Sequence, residues 1–347
     1  VHGKGLFLRL PLGPCVPKLG AMNDLSSAPS ASPSVIHRAD YRPPEWLVPE
    51  IALDFALSLD ATRVHSVLNV RRNPAGSGAA QFRLNGEGLA AKAITVDGHP
   101  HNDWHMDGAD LVIDLPGDAH AIGIETLIDP AANTQLSGLY ASNGLLCTQC
   151  EAEGFRRITF FPDRPDVLSV YSVRMTGEKA AFPVLLSNGN PTASGDNADG
   201  THWAQWHDPW PKPSYLFALV AGDLVANRDH FTTMSGRRVN LAIYVRAGDE
   251  SRTTHAMRSL IASMKWDEDV YGREYDLDDF NIVAVSDFNA GAMENKGLNV
   301  FNTRYILADP ETATDGDYDA VEGVVAHEYF HNWSGNRVTC RDWFQLS

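Results

Sequence analysis

Cysteine is scarce in this chain, with four in 347 residues: Cys15, Cys147, Cys150 and Cys340. That excludes a disulfide-built scaffold and makes reduced thiols in a cytoplasm the expectation. Positive charge is also short. Lys and Arg number 28 against 44 Asp and Glu, a formal net charge of −16. This balance argues against nucleic acid or an anionic membrane as partner and is compatible with a cationic group on a substrate. No run of eighteen apolar residues occurs, so no transmembrane helix is expected. Repeats and low-complexity tracts are absent. An initiating methionine is missing too, since the chain opens at Val1. Residues 5–12 form an apolar patch broken by Arg9 and Pro11, not the clean apolar core of a signal peptide. Met22 and the polar stretch after it look like a natural beginning. Residues 1–21 are therefore read as upstream translation or an extension outside the fold, with a secretion signal as the minor alternative.

The length allows two domains or one large one, and 44% hydrophobic with 21% charged residues is an ordinary globular composition. Residues 23–45, rich in Ser, Pro, Ala and Asp, read as a loose arm. From Ile51 the pattern turns to period two through Leu53, Phe55, Leu57 and Leu59, and again through Ser66, Leu68 and Val70, as half-buried antiparallel strands do. Further strands are predicted at 81–84, 93–96, 110–114, 121–127, 167–175 and 182–187. Composition makes 188–200 a loop. An all-β sandwich is the expectation for this half. Near Ala221–Gly222 the character changes. A strand at 239–245, a helix at 251–266 spaced by Ala256, Leu260, Ile261 and Met264, a strand at 280–285 and an extended segment at 291–302 make the second half α+β. Asp317 is the expected cap of a last helix carrying Val321, Val324 and Val325.

That helix ends in His327-Glu328-Tyr329-Phe330-His331, an H-E-x-x-H pattern. Positions i and i+4 share a helix face, so two imidazoles there can grip one Zn²⁺ while the intervening glutamate reaches a water. Zinc chemistry needs a third protein ligand and one open position. Alone, the pattern is also compatible with a chance match on an amphipathic helix. About thirty residues upstream stands Gly291-Ala292-Met293-Glu294-Asn295.

Together these motifs resemble the M1 family of zinc aminopeptidases, most closely its bacterial members. The resemblance runs on through Asn299-Val300-Phe301-Asn302, through residues 335–344, through residues 146–156 and from Trp206 to Gly222, covering roughly 35–347. It implies a multidomain protein with a β-sandwich at 35–222. After it comes the start of an α+β, thermolysin-like (gluzincin) catalytic domain at 223–347, and residues 1–34 form a disordered or extraneous extension. The implied function is a zinc metallo-aminopeptidase of the alanyl-aminopeptidase type. It would be cytoplasmic and monomeric, with one Zn²⁺ per full-length subunit and peptides with a free N-terminus as substrates. His327 and His331 would ligate zinc, and Glu328 would be the general base. Glu294 and Glu151 would anchor the α-ammonium through charge-assisted hydrogen bonds. Gln149 would line the first side-chain pocket. The backbone around Gly291, Ala292, Met293 and Asn295 would pair with the substrate as an added strand. Ala290 stands where some relatives carry a larger methionine, which implies a roomier first pocket. By itself Glu294 also reads as a solvated surface acid.

The resemblance also implies a third zinc ligand, a glutamate nineteen positions after the second histidine, and a tyrosine farther on. From His331 the glutamate falls at position 350, past Ser347. Neither Asp342 nor Arg337 is a replacement. The expectation is that this chain binds zinc weakly or not at all and is inactive by itself, activity belonging to a longer polypeptide. The alternative is a non-catalytic β-sandwich module that binds peptide ends. Other patterns carry less. Cys147-x-x-Cys150 reads as structural thiols, not a redox pair. Arg156 and Arg157 before Phe160 and Phe161 read as a sandwich face. Trp203, Trp206 and Trp210 read as packing of a loop beside the groove, and His65, His105 and His202 as structural or exposed.

Overall fold

The alternating half of the chain closes into stacked layers whose pairing is antiparallel except between Trp46–Ala56 and Ser169–Glu178, which run parallel, a departure from the all-antiparallel expectation. The structure, a computed structural model, describes residues 35–346, so the expectations for residues 1–34 and for Cys15 lie outside the described residues. Its widest sheet has eight strands, in the order Asn190–Asp196, Thr201–Lys212, Ser169–Glu178, Trp46–Ala56, Thr62–Arg72, Ala119–Ile128, Ala93–Val96 and His99–Pro100. Along Trp46–Ala56, Ile51, Leu53 and Phe55 are buried while Ala52 and Asp54 are exposed, the alternation that one covered face demands. Facing it are a four-stranded sheet, Val184–Ser187, Leu219–Gly222, Leu145–Gln149 and Gly138–Ser142, and a three-stranded one, Gln81–Leu84, Asp110–Asp114 and Trp104–Asp107. Aromatic rings bridge the layers: Phe55 stacks on Phe217 at 6.1 Å, and Phe155 meets Phe217 edge-on at 5.2 Å. Cys147 and Cys150 are fully buried free thiols in this core.

Two expectations here need correction. Residues 188–200 are not simply a loop: Asn190–Asp196 is the outermost strand of the wide sheet. Pro191 and Gly195 are tolerated because the strand pairs on one side only and shifts register between Pro191 and Ala193. Its partner, Thr201–Lys212, is a twelve-residue strand that carries Trp203, Trp206 and Trp210, so these tryptophans do not sit on a loop. Trp206 is buried and donates to the Leu185 carbonyl at 3.1 Å.

A five-stranded mixed sheet follows, in the order Val225–Thr232, Arg238–Val245, Asp279–Val285, Leu298–Asn302 and Ala292–Met293. Its second, third and fourth strands are mutually parallel. Helix α1 (Thr254–Tyr271) makes the crossover between the first two of these. Leu241, Ile243 and Ile282 on one face pack against Leu260 and Met264 of α1 and Val321 and Val325 of α2 (Asp315–Phe330). Ala242, Val283 and Val300 on the other face join the sandwich core. Helix α2 starts earlier than expected. Thr314 is its N-cap, and Asp317 completes a capping box by returning a carboxylate to the Thr314 N–H at 2.8 Å.

Asp267 of α1 is 1% exposed, its Oδ2 has no hydrogen-bond partner among the described residues, and burial pushes its carboxyl up to about 6. The folded state thus holds a proton that the unfolded chain has already released. The stability this group contributes is present below the unfolded value and lost as pH rises through the folded one. The unfolding free energy of Asp267→Asn relative to wild type should therefore rise by about 2 kcal/mol between about pH 4 and pH 8. Urea unfolding across that range measures it, and a difference independent of pH would refute the assignment.

Candidate metal centre and peptide-end site

The stripe that docks α2 also builds the site. Its buried residues are Val321, Val325, Glu328 and Tyr329, one helical face at steps of four, three and one. Glu328 is carried inward to 6% exposure, while His327 and His331 lie one turn apart at the rim, and the helix ends at His331. The two Nε2 atoms are 3.0 Å apart. His331 Nδ1 lies 2.5 Å from the Ser334 carbonyl. A carbonyl only accepts, so Nδ1 donates there and Nε2 is the nitrogen turned toward His327. Two imidazole nitrogens at this separation need a proton or a cation between them. Nitrogens held by one tetrahedral zinc lie about 3.4 Å apart. Burial, then the neighbouring His331, hold His327 below the ordinary histidine range, which favours the neutral imidazole that metals bind. The pair fits zinc.

Carboxylates surround it. Donor atoms of Glu294, Glu328 and His331 lie within 4.8 Å of one another. That grouping omits His327, but the 3.0 Å contact makes the two histidines the tighter donor pair, with the acids flanking it. Glu328 is pushed up to about 8 by burial, then by Glu294 and Glu151. Glu294 is raised by burial, and Glu151 by burial and then by Glu294. Histidines oppose this, His331 on Glu151 and His327 on Glu294.

Each acid has its own support. Glu294 follows the strand Ala292–Met293, which pairs with Leu298–Asn302 on one side and, among the described residues, carries no strand on the other. The Gly291 carbonyl accepts from Asn302 N–H at 2.9 Å, and Ala290 is exposed just before it. Glu151 follows the sandwich strand Leu145–Gln149, and the Glu151–Ala152 peptide is cis. Gln149 is 3% exposed with Oε1 unpartnered. Asn295 is buried with both amide atoms unpartnered. Buried polar atoms of this kind carry a cost unless a ligand answers them.

Several positions had no role in the sequence reading. The Asn336 side-chain amide donates to the Glu294 carbonyl at 3.0 Å and the His331 carbonyl at 2.9 Å. Lys296 is buried and donates to Asp276 and, at 2.6 Å, to Asn332 Oδ1. Asp276 also binds Arg337, whose guanidinium lies 3.7 Å from the Trp210 ring centroid. Tyr215 donates to the Gly335 carbonyl at 3.1 Å. Gly335 has φ +121°, and a Cβ there would fall 2.7 Å from His331 Nδ1 and 3.5 Å from Glu294 Oε1. The available signal was position alone: Lys296 and Asn332 directly follow the two motifs, and Asn336 lies five residues past His331, within the stretch 335–344 that carries the resemblance.

An H-E-x-x-H helix beside the free edge strand of a mixed sheet, with acids around the histidines, is metallopeptidase architecture. The chain belongs to peptidase family M1. Residues 83–216 match the Peptidase M1 N-terminal domain and residues 255–347 the Peptidase family M1 domain. Aminopeptidase N of Caulobacter vibrioides is 56% identical over 91% of this chain, and Aminopeptidase N of Escherichia coli is 52% identical over 91%. The chain spans 36% of the length of each. A crystal structure of Legionella pneumophila aminopeptidase A with aspartic acid superposes with TM-score 0.85 at 35% identity, covering 89% of this chain and 37% of that one. The fold is accordingly a β-sandwich followed by residues of the M1 catalytic domain, as the resemblance implied.

Two substitutions test how the site is held. In the complete polypeptide, Gly335→Ala should lower zinc affinity on the order of 10–100-fold by displacing His331 while leaving the far-ultraviolet circular dichroism unchanged. Chelator competition reads the affinity, and unaltered affinity would show that the loop yields instead. Lys296→Met removes the buried cation from Asp276 and leaves that carboxylate to Arg337, and should cost on the order of 1.5–3 kcal/mol in denaturant unfolding, the loss of a charge-assisted hydrogen bond. A loss below about 1 kcal/mol would place this pair among exposed ones.

Proposed function

We propose that these residues form the N-terminal-end recognition and metal site of a zinc aminopeptidase, which removes single residues from the free amino end of peptides as part of a longer polypeptide. One observation carries the reading. Glu151, Glu294 and Glu328 converge on a histidine pair, each is raised by burial, and no Lys or Arg figures among the charges acting on them. Such a cluster is satisfied by added positive charge, and a metal ion together with an α-ammonium supplies it. A peptide laid along the free edge of Ala292–Met293 would bring its amino end to Glu294 and Glu151, with its backbone paired to this strand.

His327 and His331 would hold the metal. Zinc, when bound, supplies Lewis-acid polarisation and acidification of water. Glu328, as its carboxylate, would take the proton of the attacking water and return it to the departing amine. Glu294 and Glu151 fix the ammonium, so the bond presented is the first one. Gln149 and the exposed, small Ala290 line a first side-chain pocket that admits bulky residues. Two imidazoles alone lack the charge and ligand number of a complete catalytic zinc site, so residues 1–347 by themselves should bind zinc weakly and turn over little.

Aminoacyl chromogenic substrates test the reading. The complete polypeptide should release the first residue and leave N-acetylated peptides intact. Glu328→Gln should lower kcat by about 10²–10⁴-fold, and Glu294→Gln should act mainly on KM. Cleavage of acetylated peptides at the same rate would sink the assignment of the acids. Full turnover by residues 1–347 with zinc would sink the assignment of an incomplete donor set.

A further inference from the structure

Beside the stripes that pack on the mixed sheet, α1 and α2 leave between them a cavity of about 240 Å³ that the reading above does not use. Ala262, Ser263 and Trp266 form one wall, and Glu322, Ala326 and Phe330 the other. These residues recur at steps of three and four, so each wall is one face of its helix and the cavity is a groove between two helices. Tyr329 also lines it. Tyr329 and Phe330 are the two middle residues of the H-E-x-x-H pattern, so whatever fills the groove touches the metal helix.

The serines of this groove are satisfied within their own helix. Ser263 Oγ donates to the Ser259 carbonyl at 2.8 Å, and Ser259 Oγ to the His255 carbonyl at 2.9 Å. Three rings in contact stand at one end, Trp266 with Tyr271 at 5.4 Å and Tyr271 with Phe330 at 5.6 Å. Yet Trp266 and Tyr271 are 51% and 53% exposed. A contiguous exposed apolar patch marks an interaction surface. Two buried polar groups in the wall are unanswered. Asp267 and Tyr329 are each 1% exposed, and Asp267 Oδ2 and the Tyr329 hydroxyl have no hydrogen-bond partner among the described residues. No Lys or Arg lines the groove, and Glu322 stands exposed at its rim. The surface is apolar and acidic, the complement of an apolar segment that carries a cation.

Among the described residues nothing covers this groove. After α2 the chain turns to the sandwich instead, where Trp343 meets Tyr215 edge-on at 5.3 Å. A second copy would bring the same hollow and the same acids, like against like. The relatives are far longer than this chain, which spans 36% of each aminopeptidase N. The match to the Peptidase family M1 domain, which takes in the whole groove, runs to residue 347.

We propose that the groove seats an apolar segment of the polypeptide that follows residue 347, with a basic side chain turned toward Glu322 and Asp267. The proposal rests on the reading above only in taking residues 1–347 as part of a longer polypeptide. Seated there, the segment would brace Tyr329 and Phe330, and through them the helix that carries the two histidines.

A thiol in the groove tests this. Ala262 is exposed, and circular dichroism checks that Ala262→Cys folds. Maleimide labelling of that cysteine, read by mass spectrometry of its peptide, is compared between residues 1–347 and the complete polypeptide. The complete polypeptide should label at least about 10-fold more slowly. Adding Glu322→Lys should speed labelling of the complete polypeptide and leave that of residues 1–347 unchanged. A benzophenone carried on the same cysteine should cross-link to sequence beyond residue 347. Equal labelling rates in the two proteins, or protection indifferent to Glu322→Lys, overturns the proposal. A cross-link within residues 1–347 or to a second copy overturns it as well. None of these outcomes touches the aminopeptidase reading, which stands or falls on release of the first residue from aminoacyl substrates by the same protein.

Discussion

The site depends on one buried ammonium. Lys296 is 2% exposed, and its Nζ meets the Asp276 carboxylate and, at 2.6 Å, Asn332 Oδ1. Lys296 is two residues from Glu294, and Asn332 is next to His331, so one side chain ties the peptide-end strand to the end of the metal helix. Burial lowers the Lys296 pKa while Asp276 opposes that. A charged lysine persists at this depth only because the cost of removing it from water is offset by well-placed partners. The second Asp276 oxygen takes Arg337, and the Asp276 carbonyl accepts from Trp210 Nε1 at 3.1 Å. On the same strand as Trp210, Lys212 pairs with Asp208 at 3.0 Å, both fully buried. The sandwich is therefore continuous with the site's framework: its longest strand, Thr201–Lys212, supplies the wall against which the ion pairs close.

How much of this could be read from residue order follows from the range of each interaction. Strand alternation through Ile51, Leu53 and Phe55 is a local signal, and those residues are buried as the pattern requires. The histidine pair is equally local, because an i, i+4 spacing on a helix fixes its own geometry. Asp317 was legible as part of a helix start, yet the cap is Thr314, because the two share a capping box whose ends three-residue spacing does not tell apart. Asn190–Asp196 was illegible for the opposite reason. An edge strand with one partner can carry Pro191, Gly195 and mostly exposed residues, so its composition is that of a loop. Asp276 gives no signal in its own neighbourhood: its partners lie at Lys296, Asn332 and Arg337, and only the folded chain brings them together.

The chain's excess of acid acts through a few positions and not through its sum. Most of the surplus is exposed and screened within about 10 Å. Glu151, Glu294 and Glu328 are different, because burial raises each one and Glu328 feels both of the others. They come from three separate elements: a sandwich strand end, the free edge of the mixed sheet, and the buried stripe of α2. Like charges are held together only where the surrounding fold is rigid enough to resist them, and the stored repulsion then becomes affinity for whatever cation enters.

Removal of a single residue, as proposed, demands a fixed interval between the groups that hold the amino end and the groups that act on the first peptide bond. Asn336 bears on that interval. Its amide spans the carbonyls of Glu294 and His331 at 3.0 and 2.9 Å, and the loop that presents it turns at Gly335, where no side chain fits against His331. Asn336 thus fixes the backbone part of that interval across one planar amide, and the Glu294 and His331 side chains set the rest. An endopeptidase needs no such ruler, because nothing beyond the scissile bond must be a chain end. In this fold the carboxylate cluster and the Asn336 bridge occur together, and their combination, more than the H-E-x-x-H helix that each metallopeptidase of this kind carries, favours an enzyme that counts residues from the amino terminus.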